Sequence, residues 1–253
     1  MSYRQSFAWW SFTAGREPIP DLLPAAAEIG YRGVDFLPPE LWSPARDVGL
    51  EPVVIDGQVS LDVGFNDARN HPALADEVRR NLDTAVRERI PFLAVNAGNR
   101  GAASDADAVS ICADGLAPLA AEAAAADVVL VLEPLNSKVD HIGNQCDRTG
   151  WAAAVVAEVG SPGLKLLYDA YHMQLMEGDL LRTVETHLPE IAHIHTAGVP
   201  GRHDLDDRQE VNWRAIGRLL KERGYGGFVS HEFIPRGEPI EALRQAYALF
   251  ATA

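Results

Sequence analysis

Cysteine is scarce. Two thiols, Cys112 and Cys146, occur in 253 residues, which excludes a disulfide scaffold and a cysteine-rich zinc module while leaving one bridge open. Free thiols in a reducing cytosol fit that count. Basic residues are also few: 22 Lys and Arg stand against 36 Asp and Glu, for a formal net charge of -14. Such a field repels nucleic-acid backbones and anionic membrane surfaces, and no Lys/Arg cluster with interleaved aromatics offsets it. Neither a nucleic acid nor a membrane is therefore expected as a partner. No stretch approaches 18 uninterrupted apolar residues. The opening MSYRQSFAWWSF carries neither a basic segment before a long apolar run nor a small-residue cleavage site, so the expected location is cytoplasmic. Low-complexity linkers and internal repeats that would divide the chain are missing too.

What is present is a rhythm. Short apolar runs alternate with longer, Ala-rich segments, the pattern of a parallel sheet covered by helices. The runs predict eight strands, at 6–10, 33–36, 52–55, 92–96, 128–133, 165–169, 191–195 and 227–232. Seven helices are predicted at 20–29, 72–89, 105–126, 149–159, 179–187, 213–223 and 239–250. The second connection, through LWSPARDVG, is too short for more than a turn or two. No GxGxxG follows the first strand to form a dinucleotide crevice, so the expectation is an α/β fold of the (β/α)8 TIM-barrel type, one domain over residues 1–253, with a shortened second βα connection.

Four consecutive predicted strands end in groups that can bind cations. VVLVLEPLN places Glu133 at the end of the fifth, LKLLYDAYH places Asp169 at the end of the sixth, IAHIH ends the seventh with His195, and GGFVSHEFIP ends the eighth with Glu232. In a barrel, the C-terminal strand ends face the mouth where the active site forms. Three carboxylates crowded there repel one another unless a cation compensates them. Three oxygens and one imidazole suit a divalent ion of the Mg, Mn or Co kind better than zinc. Each residue taken alone could instead cap a helix or pair with an arginine.

The flanking residues extend the pattern. His172, on the turn leaving the sixth strand, could reach a substrate oxygen or serve a cap. His193 shares the inward face with His195, one layer lower, and reads as a structural or supporting donor. Arg202 sits in the polar loop TAGVPGRHDLDDRQEVNW, where its planar fork could clamp a small hydroxy-carbonyl substrate or anchor the loop through an ion pair. Trp9 and Trp10, read as part of the first strand, should point to opposite faces.

Taken together, LEPLNSKVDH, YDAYHMQLMEGDL, HIHTAGVPGRH, QEVNW and GYGGFVSHEFIP resemble the hydroxypyruvate isomerase branch of the xylose isomerase-like TIM barrels. The likeness is specific over about residues 130 to 236 and looser before that. It implies one divalent metal ion on Glu133, Asp169, His195 and Glu232, with the two glutamates as acid/base pair and His172 and Arg202 on the substrate. It further implies interconversion of hydroxypyruvate and tartronate semialdehyde, or of a close keto acid, through a metal-stabilised enediolate, and allows a homodimer or homotetramer. One residue departs from the branch: hydroxypyruvate isomerases usually carry Gln where His195 stands. Ketose 3-epimerases of the same superfamily carry His there, which makes a ketose or keto-acid 3-epimerase the alternative. The loop IDGQVSLDVGFND and Asp204 also differ from the branch and would reshape one side of the pocket.

Overall fold

The structure is a computed structural model that describes residues 3–16 and 19–252. In chain order its elements are β1 (Arg4–Ala8), α1 (Trp9–Thr13), α2 (Leu22–Ile29), β2 (Gly33–Asp35), α3 (Trp42–Asp47), β3 (Glu51–Pro52), β4 (Val54–Asp56) and α4 (His71–Glu88). There follow β5 (Phe92–Val95), α5 (Asp105–Ala125), β6 (Val129–Leu132), α6 (Thr149–Val159), β7 (Leu164–Asp169), α7 (Ala170–Met176) and α8 (Leu180–His187). The chain finishes with β8 (Ile191–Thr196), α9 (Trp213–Glu222), β9 (Phe228–His231) and α10 (Pro239–Ala251). All seven predicted helices are present. The strand predicted at 52–55 is divided between β3 and β4, and the short second connection holds only a 3-10 turn and α3.

These elements form two compact units. The first comprises residues 3–16, 19–53, 179–188 and 193–252, and its strands run in the order β3-β2-β1-β9-β8, all parallel. The register pairs Ala8 with Asp35, Phe7 with His231, and His195 with Ser230. The core is aromatic: Phe7, Phe12, Tyr31, Phe233 and Phe250 are fully buried or nearly so, with edge-on ring pairs such as Phe12 and Phe233 at 5.0 Å. Each apolar side chain buried this way contributes about 1.5–3 kcal/mol. α9 starts where the Asn212 side chain accepts the backbone N–H of Ala215, and it buries Trp213, Ile216, Gly217 and Leu220, one stripe at helical spacing.

The second unit comprises residues 54–178 and 189–192, with strand order β7-β6-β5-β4, again parallel. Ser104 caps α5 by accepting the Asp107 N–H, with Asp105 and Asp107 in the first turn. By length and composition alone α5 is apolar enough to cross a membrane; it packs on α6 and β6 and buries Cys112, Leu116, Leu119 and Ala123. That packing needs small residues. A Cβ on Gly163 would lie 1.9 Å from the Ala120 carbonyl oxygen, so only glycine lets the chain entering β7 pass α5. Both cysteines are buried free thiols.

Candidate active site

In the first unit the chemistry gathers at the C-terminal ends of β1, β2, β8 and β9. Glu232 follows directly on β9 and is buried. Its Oε1 accepts the indole N–H of Trp10 at 2.7 Å, and its Oε2 lies 2.5 Å from Arg202 Nη2 and 2.9 Å from His195 Nδ1. Burial pushes this carboxyl upward. The charges of His195 and Arg202, with hydrogen bonds from His195 and Trp10, outweigh it and hold Glu232 well below the usual carboxylate range. It is therefore ionised at neutral pH.

His195 lies on β8 with its other nitrogen toward β2, where Nε2 is 3.1 Å from Asp35 Oδ2. His193, two residues earlier on the same face, donates its Nε2–H to that same oxygen at 2.6 Å. All three side chains are inaccessible to solvent. Burial opposes ionisation of Asp35, but His193 and His195 overcome it and keep the carboxylate charged, while burial holds His193 below its ordinary value. One ligand atom from each of Asp35, His193 and His195 lies within 4.8 Å of the others.

Arg202 is placed by its loop. Its φ is 56°, its carbonyl accepts the N–H of Ile234, and its guanidinium stands 5.5 Å over the Trp10 ring. The ion-pair reading of this residue is thus realised, with Glu232 as partner. The two tryptophans depart from expectation: β1 stops at Ala8, so Trp9 and Trp10 open helix α1 instead of alternating across a strand. α9 is capped by Asn212, and Gln209 braces the loop by accepting from Val211 N and Trp213 Nε1.

In the second unit, Glu133 follows β6 and is nearly buried, its N–H directed at the Val95 carbonyl at 3.4 Å. Asp169 ends β7 and caps α7: Oδ1 accepts from Tyr171 N at 2.7 Å and His172 N at 3.3 Å. Capping uses one oxygen, while Oδ2 faces His172 Nε2 at 3.4 Å. The cap and ligand readings of Asp169 are therefore compatible. His172 lies in the first turn of α7 and not on a bare turn, because the Asp169 cap starts the helix there.

Three residues that motif reading passed over organise His172. Asn136 Nδ2 meets His172 Nδ1 at 2.6 Å and Asp140 Oδ2 at 2.7 Å, and the Tyr171 hydroxyl donates to the same Asp140 oxygen at 2.8 Å. The amide nitrogen can only donate, and Asn136 Oδ1 is occupied by the N–H groups of Val139 and Asp140, so Nδ1 accepts and Nε2 carries the proton. The available signal was the Asn and Asp four positions apart in LEPLNSKVD, inside a motif read for its glutamate alone.

The xylose isomerase-like TIM barrel family model matches residues 23–252. The chain belongs to that family. Within it, a human protein that carries the provisional name hydroxypyruvate isomerase is 31% identical over 244 residues, covering 89% of this chain and 87% of its own. A 2-oxo-tetronate isomerase of Pectobacterium atrosepticum is 26% identical over 239 residues, covering 89% and 90%. A solved L-ribulose 3-epimerase superposes with a TM-score of 0.78 at 19% identity, covering 99% of this chain and 94% of that one. The expected (β/α)8 barrel and the hydroxypyruvate isomerase-like grouping both stand.

Proposed function

We propose that this chain is a divalent-metal-dependent 3-epimerase of a small ketose or keto acid, acting by proton transfer at the carbon beside the carbonyl. The carrying observation is the donor set: Glu133, Asp169, His195 and Glu232 stand at the C-terminal ends of the parallel strands β6, β7, β8 and β9, one ligand-bearing side chain per strand. Three carboxylate oxygens with one imidazole fit a hard or borderline divalent cation such as Mg, Mn or Co. A bound cation would supply polarisation of the carbonyl and neighbouring hydroxyl oxygens, which makes the carbon acid easier to ionise.

The protein's own groups then account for the rest. One glutamate takes the proton from the carbon as the C–H bond breaks, and the other returns a proton to the opposite face, so the configuration inverts and no redox change occurs. Glu232, held ionised by His195, Arg202 and Trp10, suits the accepting role. His172, with its proton on Nε2, offers a donor to a substrate oxygen. Arg202 lies beside the same carboxylate, where its fork can also serve an anionic or hydroxylated substrate.

The second reading is aldose–ketose isomerisation of hydroxypyruvate or a 2-oxo-tetronate, favoured by the names of the relatives at 31% and 26% identity. His195 favours the first, because ketose 3-epimerases of the superfamily carry His at that place. Incubation of the metal-loaded protein with a panel of small ketoses and keto acids, read by proton NMR, separates them. Epimerisation inverts one centre and leaves the carbonyl in place; isomerisation moves the carbonyl. Conversion of no compound in the panel by Mg-, Mn- or Co-loaded protein would overturn both.

A further inference from the structure

We propose that Asp35 is a positioning residue that fixes the His195 imidazole with its proton on Nε2, so that Nδ1 is presented beside Glu232 to a divalent cation. The inference rests on His195 being a metal ligand, as proposed above.

Asp35, His193, His195 and Glu232 all belong to the first unit. Asp35 ends β2, and its Oδ2 is 3.1 Å from His195 Nε2 and 2.6 Å from His193 Nε2. A carboxylate offers no proton, so each imidazole must donate to it. His195 stands between two carboxylates: Nε2 donates to Asp35, and Nδ1, 2.9 Å from Glu232 Oε2, is the nitrogen whose proton a cation held by Glu232 would replace while Asp35 keeps the one on Nε2. With that proton released, the nitrogen and the carboxylate oxygen form a fitting pair of donors for a cation. His193 completes the device. Its short bond pins the same Asp35 oxygen, and its ring packs edge-on against that of His195, at 81° with centroids 5.0 Å apart. Phe36, which follows Asp35 with φ of 52°, places its ring edge-on to His195 at 6.1 Å.

Asp35 lies in GYRGVDFL, outside the segments that carry the specific family likeness, yet it supplies the carboxylate that orients the one imidazole ligand. Carboxylate partners of metal-binding histidines typically change metal affinity by about 10–100-fold when removed. Asp35 and the two histidines could themselves chelate an ion, since their ligand atoms fall within 4.8 Å of one another. Both Nε2 atoms are directed at one carboxylate oxygen at hydrogen-bond distance, however, which is the geometry of donors.

The test has two arms. In 15N-histidine-labelled wild-type protein loaded with Mg, long-range proton–nitrogen correlation should show the His195 proton on Nε2; a proton on Nδ1 overturns the proposal, and this arm needs no variant. In the second arm Mn binding is counted by EPR for wild type and Asp35→Asn. The amide can donate to Nε2 and so reverse the proton's place, and affinity should fall by about tenfold or more with one ion per chain in both proteins. Equal affinity in a folded Asp35→Asn protein overturns the role of Asp35 while leaving the metal reading intact. A second ion in wild type that the variant loses shows Asp35 to be a ligand and also overturns it. Failure of wild type itself to bind Mn overturns the metal reading first and the present inference with it.

Discussion

The indole N–H of Trp10 ends on Glu232 Oε1 at 2.7 Å, joining the first turn of helix after β1 to the residue that closes β9. A carboxylate that accepts such a bond is stabilised in its charged form, and hydrogen bonds to charged groups are worth about 1.5–3 kcal/mol. Trp10→Phe keeps the ring and removes the donor. Glu232 should become more basic, so the acid limb of the pH–rate profile should move to higher pH. A profile superimposable on wild type would show that Trp10 does not tune Glu232.

The acid/base assignment predicts large losses from small changes. Glu133→Gln and Glu232→Gln each keep an oxygen that can touch a cation but lose the basic carboxylate. Turnover of metal-saturated protein on the substrate found in the product panel should fall by about 100-fold or more. A folded, metal-loaded variant with near wild-type turnover removes that glutamate from the proton-transfer pair.

Arg202 contacts Glu232 through two nitrogens: Nη2 reaches the carboxylate at 2.5 Å and Nε the backbone carbonyl at 3.3 Å. Lysine keeps the charge and cannot span both. Arg202→Lys should therefore lower kcat/KM more than it lowers the melting temperature. Unchanged kinetics at full metal occupancy would exclude Arg202 from the site.

Packing supplies a prediction independent of chemistry. Gly163→Ala forces a methyl to within 1.9 Å of a backbone oxygen on α5 and should cost about 1–3 kcal/mol in urea unfolding. Gly226, with nothing within 4 Å of an added Cβ, is the control, and Gly226→Ala should be close to neutral. Equal midpoints for the two variants would show that α5 yields at Ala120.

Alkaline titration probes the aromatic core. Burial pushes the Tyr3 phenol up to about 12 and that of Tyr31 well above its ordinary 10. The folded chain holds these protons where the unfolded chain releases them. The stabilisation is thus complete below pH 10 and is lost as pH rises from 10 through about 12 for Tyr3. Urea midpoints should fall across that window, with phenolate absorbance lagging the value for exposed tyrosine. A full tyrosine titration at pH 10 in the folded state would contradict it.

The strand-end residues were legible because a parallel strand is a short apolar run, and a charged residue that terminates it is conspicuous. Glu133, Asp169 and Glu232 stand out in this way from VVLVL, LKLLY and GGFVSH. Asp35 terminates its strand equally, in GVD, but a three-residue strand leaves no run long enough to mark its end. Its partner nitrogens lie about 160 positions away, and no local pattern carries that distance. Trp9 and Trp10 misled for a different reason. Aromatics favour strands, and the turn into α1 contains no Gly or Pro to announce it. The division of the third strand at Val53 was hidden likewise, since PVVID is continuous in hydrophobicity.

The two buried thiols give the molecule an internal record of its own opening. Cys112 is sealed within α5 and Cys146 within the loop before α6, and burial pushes both thiols up, away from the reactive thiolate form. A thiol reagent in native buffer therefore reacts only when the surrounding structure separates, and the rate of modification counts those events. Both reporters lie in the second unit, so labelling reads the loosening of that half of the chain, and a metal ion that braces Glu133 and Asp169 would register as slower loss of free thiol.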